Sequence, residues 1–395
     1  MSRKLISRSP DLQHLRDEGY DLEVRSGRFL LIKSVPYVNA KKEIALGTLV
    51  STLNLAGEAT TIPDTHVAMW IGDHPCRPDG SEISSIRHSS GRQTLDSGLV
   101  IDHTFSNKLS GGGQEVDYYE KMTRYVTIIA GQAQAIAPSV TAKVNRFVEA
   151  VDEDSPFVYA DTASSSDGIA AVSRKLEQEA VAIVGLGGTG SYVLDLVAKT
   201  PVRAIHLFDG DPFLQHNAFR APGAASIEAL KAIPDKAEYY RQQYSNMHRG
   251  IIPHNDYLDA SNLADLRGMK FVFLCLDRGK IKKEVVAKLL EWKIPFIDVG
   301  MGIELVEDAL GGILTITIVT PEKNDHCQQR IPFSDANPND DYSRNIQIAD
   351  LNALNASLAV IKWKKHLGFY RDLRREHHSS YTTDVSMLLN EDVTG

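Results

Sequence analysis

From about residue 169 onward, apolar residues come in short unbroken runs separated by amphipathic stretches. The runs are "VAIVG" (181–185), "AIHLFD" (204–209), "IIPHNDYL" (251–258), "FVFLCLD" (271–277), "PFIDVGMG" (295–302) and "GILTITIVT" (312–320). Helices are predicted for "IAAVSRKLEQEA" ahead of the first run, from Thr189 to Lys199, around 236–248 and over 279–292. Continuous apolar strands spaced by helices predict an α/β domain, a Rossmann-like and mostly parallel sheet covered on both faces. Further on, Leu351, Leu354, Leu358 and Ile361 alternate at spacings of three and four, which predicts a long helix with that face on the core or on a dimer partner.

The first 150 residues are patterned differently. Strand-like runs "RFLLIKSVPYV" (28–38), "HVAMWIG" (66–72) and "RYVTIIAG" (124–131) are separated by loops rich in glycine, serine and aspartate, predicting a smaller α+β domain over 1–150. The acidic, serine-rich stretch 151–168 reads as a linker, 169–370 as the α/β domain and 371–395 as a polar tail.

Bulk properties narrow the class without naming it. A chain of 395 residues accommodates two domains with separate cores, and 43% hydrophobic with 24% charged residues is ordinary for a soluble protein. A net charge of −8 argues against a broad nucleic-acid surface, although "KWKKH" (362–366) and "RDLRREHH" (371–378) are locally basic. No apolar run reaches the roughly 18 residues of a membrane span, and "MSRKLISRSPDLQ" lacks a signal-peptide apolar block, so a cytoplasmic protein is expected. Cys76, Cys275 and Cys327 are odd in number and far apart, which fits a reducing compartment. His66, His74, Cys76, His88 and His103 match no ordinary zinc spacing and read as structural.

The candidate chemistry starts at the first strand of the α/β region. Gly185, Gly187 and Gly190 fit G-x-G-x-x-G between a strand and a helix, a turn that brings backbone close to phosphate at a helix N-terminus. Asp209 closes the next strand, 19 residues past Gly190, where a carboxylate accepts hydrogen bonds from ribose hydroxyls. Both features serve NAD as well as ATP. The polar residues beyond that strand are more selective: Asn217 stands eight residues after Asp209, Arg220 three after that, and Lys236 sixteen further on. Cations gathered there suit a triphosphate, and Asp277, ending a later strand, suits magnesium.

In this order the motifs resemble the ThiF/MoeB superfamily, adenylating enzymes related to ubiquitin-activating enzyme, over roughly residues 169–368. They are a doubled glycine (Gly187, Gly188), D-x-D (Asp209, Asp211), N-x-x-R (Asn217, Arg220), a lysine and a strand-end aspartate. "GLGGTGSYVLDLVAKTP" with "LFDGDPFLQHNAFRAPGA" also looks like a bacterial subgroup with an extra N-terminal domain that accompanies ubiquitin-like proteins. The resemblance implies ribose contact by Asp209, phosphate contact by Asn217, Arg220 and Lys236, and Mg²⁺ binding by Asp277. It implies ATP-dependent adenylation of the C-terminal carboxylate of a ubiquitin-like or sulfur-carrier protein ending in glycine, by a homodimer. A conjugating-enzyme-like protein is a further implied partner, with the N-terminal domain recruiting it or the carrier.

Three cysteines cannot supply the two C-x-x-C zinc pairs of many relatives. The upstream arginine that reaches a partner subunit's ATP has Arg174 as its nearest candidate. Cys327, with His326 and Arg330 close in sequence, is a candidate thioester nucleophile. An NAD-dependent oxidoreductase and a nucleotide-binding adaptor without turnover are the alternative readings.

Overall fold

Pairing among the N-terminal strands is antiparallel throughout. β1 (Asp21–Arg25), β2 (Phe29–Val38), β3 (Ile44–Thr52), β4 (Val67–Ile71), β5 (Arg87–Asp96) and β6 (Leu99–Ser106) form a 6-stranded sheet ordered β1-β2-β3-β4-β6-β5. This computed structural model describes residues 2–109, 111, 113–147, 155–166, 169–276, 279–333 and 346–393. It divides into two compact units, Met1–Glu153 with Tyr159–Ala170, and Asp154–Val158 with Ala171–Gly395.

In the first unit, α1 (Ser2–Arg8), α2 (Pro10–Asp17) and α3 (Tyr118–Ile136) pack with the sheet. The run at 124–131, predicted as a strand, lies inside α3. Its buried Tyr118, Met122, Tyr125, Val126, Ile129 and Ala133 recur at three and four, and Asp117 caps the helix by accepting from the Glu120 amide at 2.8 Å. The β-branched cluster at 126–129 looks strand-like in a short window, and only the longer window shows the helical period. One buried residue of α3 is charged. Lys121 donates to Ser51 Oγ at 2.9 Å and to the Thr65 carbonyl at 2.8 Å, and burial pushes its pKa down to about 8.

The second unit is built on an 8-stranded sheet. Its strands are β7 (Ala180–Val184), β8 (Ala204–Phe208), β9 (Ile251–His254), β10 (Phe271–Leu274), β11 (Phe296–Val306), β12 (Ala309–Val319), β13 (Glu376–Thr382) and β14 (Met387–Val393), ordered β9-β8-β7-β10-β11-β12-β13-β14. From β9 to β11 all pairs are parallel, and from β11 to β14 all are antiparallel. The chain leaves β7 toward β8 and β9, then returns to β10 on the other side. That reversal opens a crevice at the carboxyl ends of β7 and β10, where open α/β sheets take ligands.

Helices α4 (Gly188–Val197), α5 (Lys236–Tyr244), α6 (Gly279–Trp292) and α7 (Ala349–His366) cover the sheet. Strand residues alternate between two cores: Val181, Ile183, Phe271 and Phe273 pack with Trp363 of α7, while Ala182, Val184, Val272 and Leu274 pack with Val285 and Leu289 of α6. Among the described residues, no helix is long and apolar enough to cross a membrane.

Three sequence expectations change here. The buried face of α7 is not the leucine stripe but Asn352, Asn355, Ala356, Ala359, Val360, Lys362 and Trp363, whereas Ile361 is 42% exposed. α7 packs closely along α4, and small or amide side chains permit that approach where leucines do not. The expected polar tail forms the hairpin β13–β14; its buried His378 and Ser379 are hydrogen-bonded, with His378 Nδ1 2.9 Å from Thr317 Oγ1 of β12 and Ser379 Oγ donating to Asn390 Oδ1 at 2.7 Å. The expected linker is shared: the Val158 amide donates to the Met247 carbonyl at 2.8 Å and the Arg249 amide to that of Pro156 at 2.7 Å, tying this stretch into the second unit.

Trp363 is fully buried, with its ring edge-on to Phe273 at 5.8 Å between centroids. Trp363→Ala is expected to cost about 3–5 kcal/mol in urea denaturation, and Ile361→Ala on the outer face under about 0.5 kcal/mol. Equal losses would show that the packed face of α7 has been misassigned.

Candidate active site

Steric constraint comes first at the carboxyl end of β7. Gly185 holds φ 89°, a left-handed conformation that glycine adopts freely. A Cβ on Gly190 would collide with the Gly185 carbonyl oxygen, and one on Gly188 with the Asn352 amide. Strand, turn and helix are therefore closed onto one another without side chains. The open side of Gly187, the N-cap of α4, meets only Gln347, whose Oε1 accepts from the Gly188 amide at 3.3 Å. Gly187 has no side chain to cap α4, so apart from the Gly188 amide held by Gln347 the start of the helix lies open at the cleft lining as a place for an anion.

Asp209 ties this turn to the neighbouring strand. Its carboxylate accepts from the Leu186 amide at 2.7 Å and the Asp211 amide at 2.9 Å. Lys236, 5% exposed at the start of α5, reaches both acids, with Nζ 2.8 Å from Asp211 Oδ2 and 3.5 Å from Asp209 Oδ1. Tyr257 donates its hydroxyl to Asp211 Oδ1. Arg220 follows the short helix Gln215–Ala218, and its buried Nε has no hydrogen-bond partner among the described residues. A buried guanidinium N–H without an acceptor is unusual and fits a bound oxyanion. Burial, and then the positive charges of Arg220 and Lys236, hold the His216 imidazole below its ordinary value.

One cleft is lined by Gly185, Gly187, Gly188, Gly190, Asp209, Asp211, Arg220 and Lys236. Its apolar half, including Val184, Phe208, Leu258 and Ile281, suits a purine ring. Asn217 is not in the lining: it is buried, and its Oδ1 accepts from the Leu214 amide at 2.8 Å, capping the short helix. Asp277 lies outside the described residues. Arg174 is exposed on a single 3₁₀ turn, Arg174–Leu176, away from this chain's cleft.

Cys327 corrects the expectation of a nucleophile. It is 1% exposed in the core beneath α6, and burial, then the charge of Asp298, pushes its thiol up to about 11. Neither sequence neighbour activates it: His326 Nε2 lies 2.9 Å from the Ile318 carbonyl, and Arg330 pairs with Asp392 at 2.8 Å and Glu391 at 3.1 Å. Among the described residues, no group of three or more His, Cys, Asp or Glu is placed to hold a metal.

Sequence reasoning missed Gln347, Asn352, Asn355 and Tyr257. Asn352 Oδ1 accepts from Thr189 Oγ1 at 3.0 Å, and Asn355 Nδ2 donates to the Gly300 carbonyl at 2.9 Å. Their three-residue spacing on one helix face was the available signal; Gln347 and Tyr257 carry none.

A parallel sheet with a glycine turn at its switch point, and acids and bases gathered over that turn, defines a nucleotide-binding α/β protein. The ThiF family matches residues 159–362, just over half of the chain, and the chain belongs to that family of ATP-dependent adenylating enzymes. Residues 10–162 match a domain of unknown function, DUF6791. Among solved structures the chain is similar to E. coli MccB with MccA-N7isoASN, at 19% identity over 58% of this chain and 69% of that one, TM-score 0.47. It is similar also to E. coli MccB with ATP, at 17% identity over 58% and 69%, TM-score 0.46. PaaA is similar at 14% identity over 69% and 86%, TM-score 0.47. No curated protein matches.

Two measurements check this geometry. Gly190→Ala is expected to lower the melting temperature and abolish nucleotide-induced stabilisation, because the turn must open to admit a methyl. Cys327 is expected to resist iodoacetamide at pH 8 in the native protein and react once it is unfolded; rapid native labelling would restore the nucleophile reading.

Proposed function

We propose that this protein uses ATP and Mg²⁺ to adenylate the C-terminal carboxylate of a glycine-ended ubiquitin-like or sulfur-carrier protein. The observation that carries the reading is the convergence of Asp209, Arg220 and Lys236 on the glycine turn, with the Arg220 Nε buried and lacking an acceptor among the described residues. Asp209 keeps acceptor capacity beyond its two backbone bonds for ribose hydroxyls. Arg220 and the first amides of α4 face where phosphates would lie.

No general base is required. A C-terminal carboxylate is ionised at neutral pH, and its oxygen bonds to the α-phosphorus as the bond to pyrophosphate breaks, giving an acyl-adenylate. What opposes the step is repulsion between anions. The charged side chains described in the lining, Asp209, Asp211, Arg220 and Lys236, are two negative and two positive and cancel. A triphosphate therefore needs additional positive charge, which supports a divalent cation at Asp277 and an arginine, Arg174, from the second copy of a homodimer. Exposed Leu214, Phe219, Ile227 and Ile233 near the Arg220 loop offer apolar surface for such a pairing. Cys327 has no part in this reading.

ATP–pyrophosphate exchange with a panel of glycine-ended carriers tests it. Exchange is expected to depend on carrier and Mg²⁺, and to fall about 10²- to 10³-fold in Arg220→Ala and Lys236→Ala variants that still melt cooperatively. Absence of exchange with every carrier, or parental exchange in both variants, overturns the reading.

A further inference from the structure

A second cavity, of about 660 Å³, lies between the end of β12, the last turn of α7 and the start of β13. It shares no lining residue with the nucleotide cleft. It is also at the other edge of the sheet: Val319, the last residue of β12, pairs with Phe296, the first of β11, whereas the cleft is at the carboxyl ends of the parallel strands.

Its lining is rich in cations from three separate elements: Lys323 after β12, Lys362 and Lys365 on α7, and Arg375 just before β13. Glu322, Asp372 and Glu376 oppose them, but Glu376 already takes Lys365 at 2.7 Å. Lys362 is the residue that does not fit a purely structural account. It is 7% exposed, and its one described hydrogen bond goes to the main-chain carbonyl of Glu376 at 3.0 Å. An ammonium carries three donors, and a buried cation without a carboxylate in contact is costly. Burial accordingly pushes its pKa down to about 8, with Lys365 adding repulsion and Glu376 opposing. The helix dipole accounts for basic residues at the end of α7, namely Lys364, Lys365 and His366. It explains neither the burial of Lys362 nor the approach of Arg375 from another element, whereas Lys323 is paired with Asp325 at 2.7 Å. Arg375 is moreover held at φ 48°, in the left-handed region that a non-glycine residue seldom occupies.

We propose that this cavity is a second ligand site, taking a phosphate-type oxyanion with Lys362 at its floor and Lys365, Arg375 and Lys323 around it. Such an anion supplies the acceptor oxygens that the desolvated ammonium lacks, and the surrounding point charges favour compact oxyanions over flat apolar ligands. A free phosphate or the pyrophosphoryl end of a larger molecule offers the same chemistry.

Calorimetric titration of the full chain with inorganic phosphate, and separately with pyrophosphate, distinguishes these sources. Saturable binding is expected for at least one of them at a site that persists in Arg220→Ala, where only binding to the nucleotide cleft is lost, and that is weakened about tenfold or more in Lys362→Met and Arg375→Gln. Arg375 is exposed, so its variant carries the test if Lys362→Met loses its native circular dichroism. The proposal is overturned if neither anion saturates the protein, if affinity is the same in folded Lys362→Met and Arg375→Gln, or if Arg220→Ala alone removes binding.

Discussion

The carboxylate of Asp209 fixes the geometry of the nucleotide cleft. By accepting from the amides of Leu186 and Asp211 and facing Lys236, it joins the glycine turn, the end of β8 and the start of α5 in one hydrogen-bonded node. Each of these is a terminus, where a chain is otherwise free to fray. Holding three termini through a single side chain makes their separation independent of the loops between them. The glycine turn and the carboxyl end of β8 are thus positioned by the same residue.

The wall opposite that node obeys different rules. Asn352 and Asn355 take buried positions on α7 because the helix runs too near α4 and Gly300 of β11 for branched apolar residues, and each amide satisfies a polar group there. Displaced to the flank, Leu351, Leu354 and Leu358 are half-buried. Polarity on the inner face of a helix here is a packing solution, and it leaves an apolar flank for another surface to cover.

Much of this was legible in the linear pattern, for physical reasons that can be named. Buried parallel strands are apolar on both faces, so β7, β8, β10 and β11 stand out as runs. Gly185, Gly190, Asp209, Arg220 and Lys236, singled out because steric closure and phosphate chemistry restrict which residue types serve, line one cleft. Where polar groups pair with one another, pattern fails. β13 hides His378 and Ser379 behind hydrogen bonds, α3 hides a helical period under β-branched residues, and Asn217 was read as a ligand contact although it caps a short helix. Cys327 misled for a related reason: residues adjacent in sequence, His326 and Arg330, turn to other partners once the chain folds.

Between the two units the backbone does not simply pass from one to the other. Residues 154–158 join the second unit, 159–170 return to the first, and only then does the chain enter β7. An exchange of either unit among proteins by recombination at one point would leave a short piece behind on the wrong side. Complete separation of the units therefore takes three cuts in the backbone rather than one.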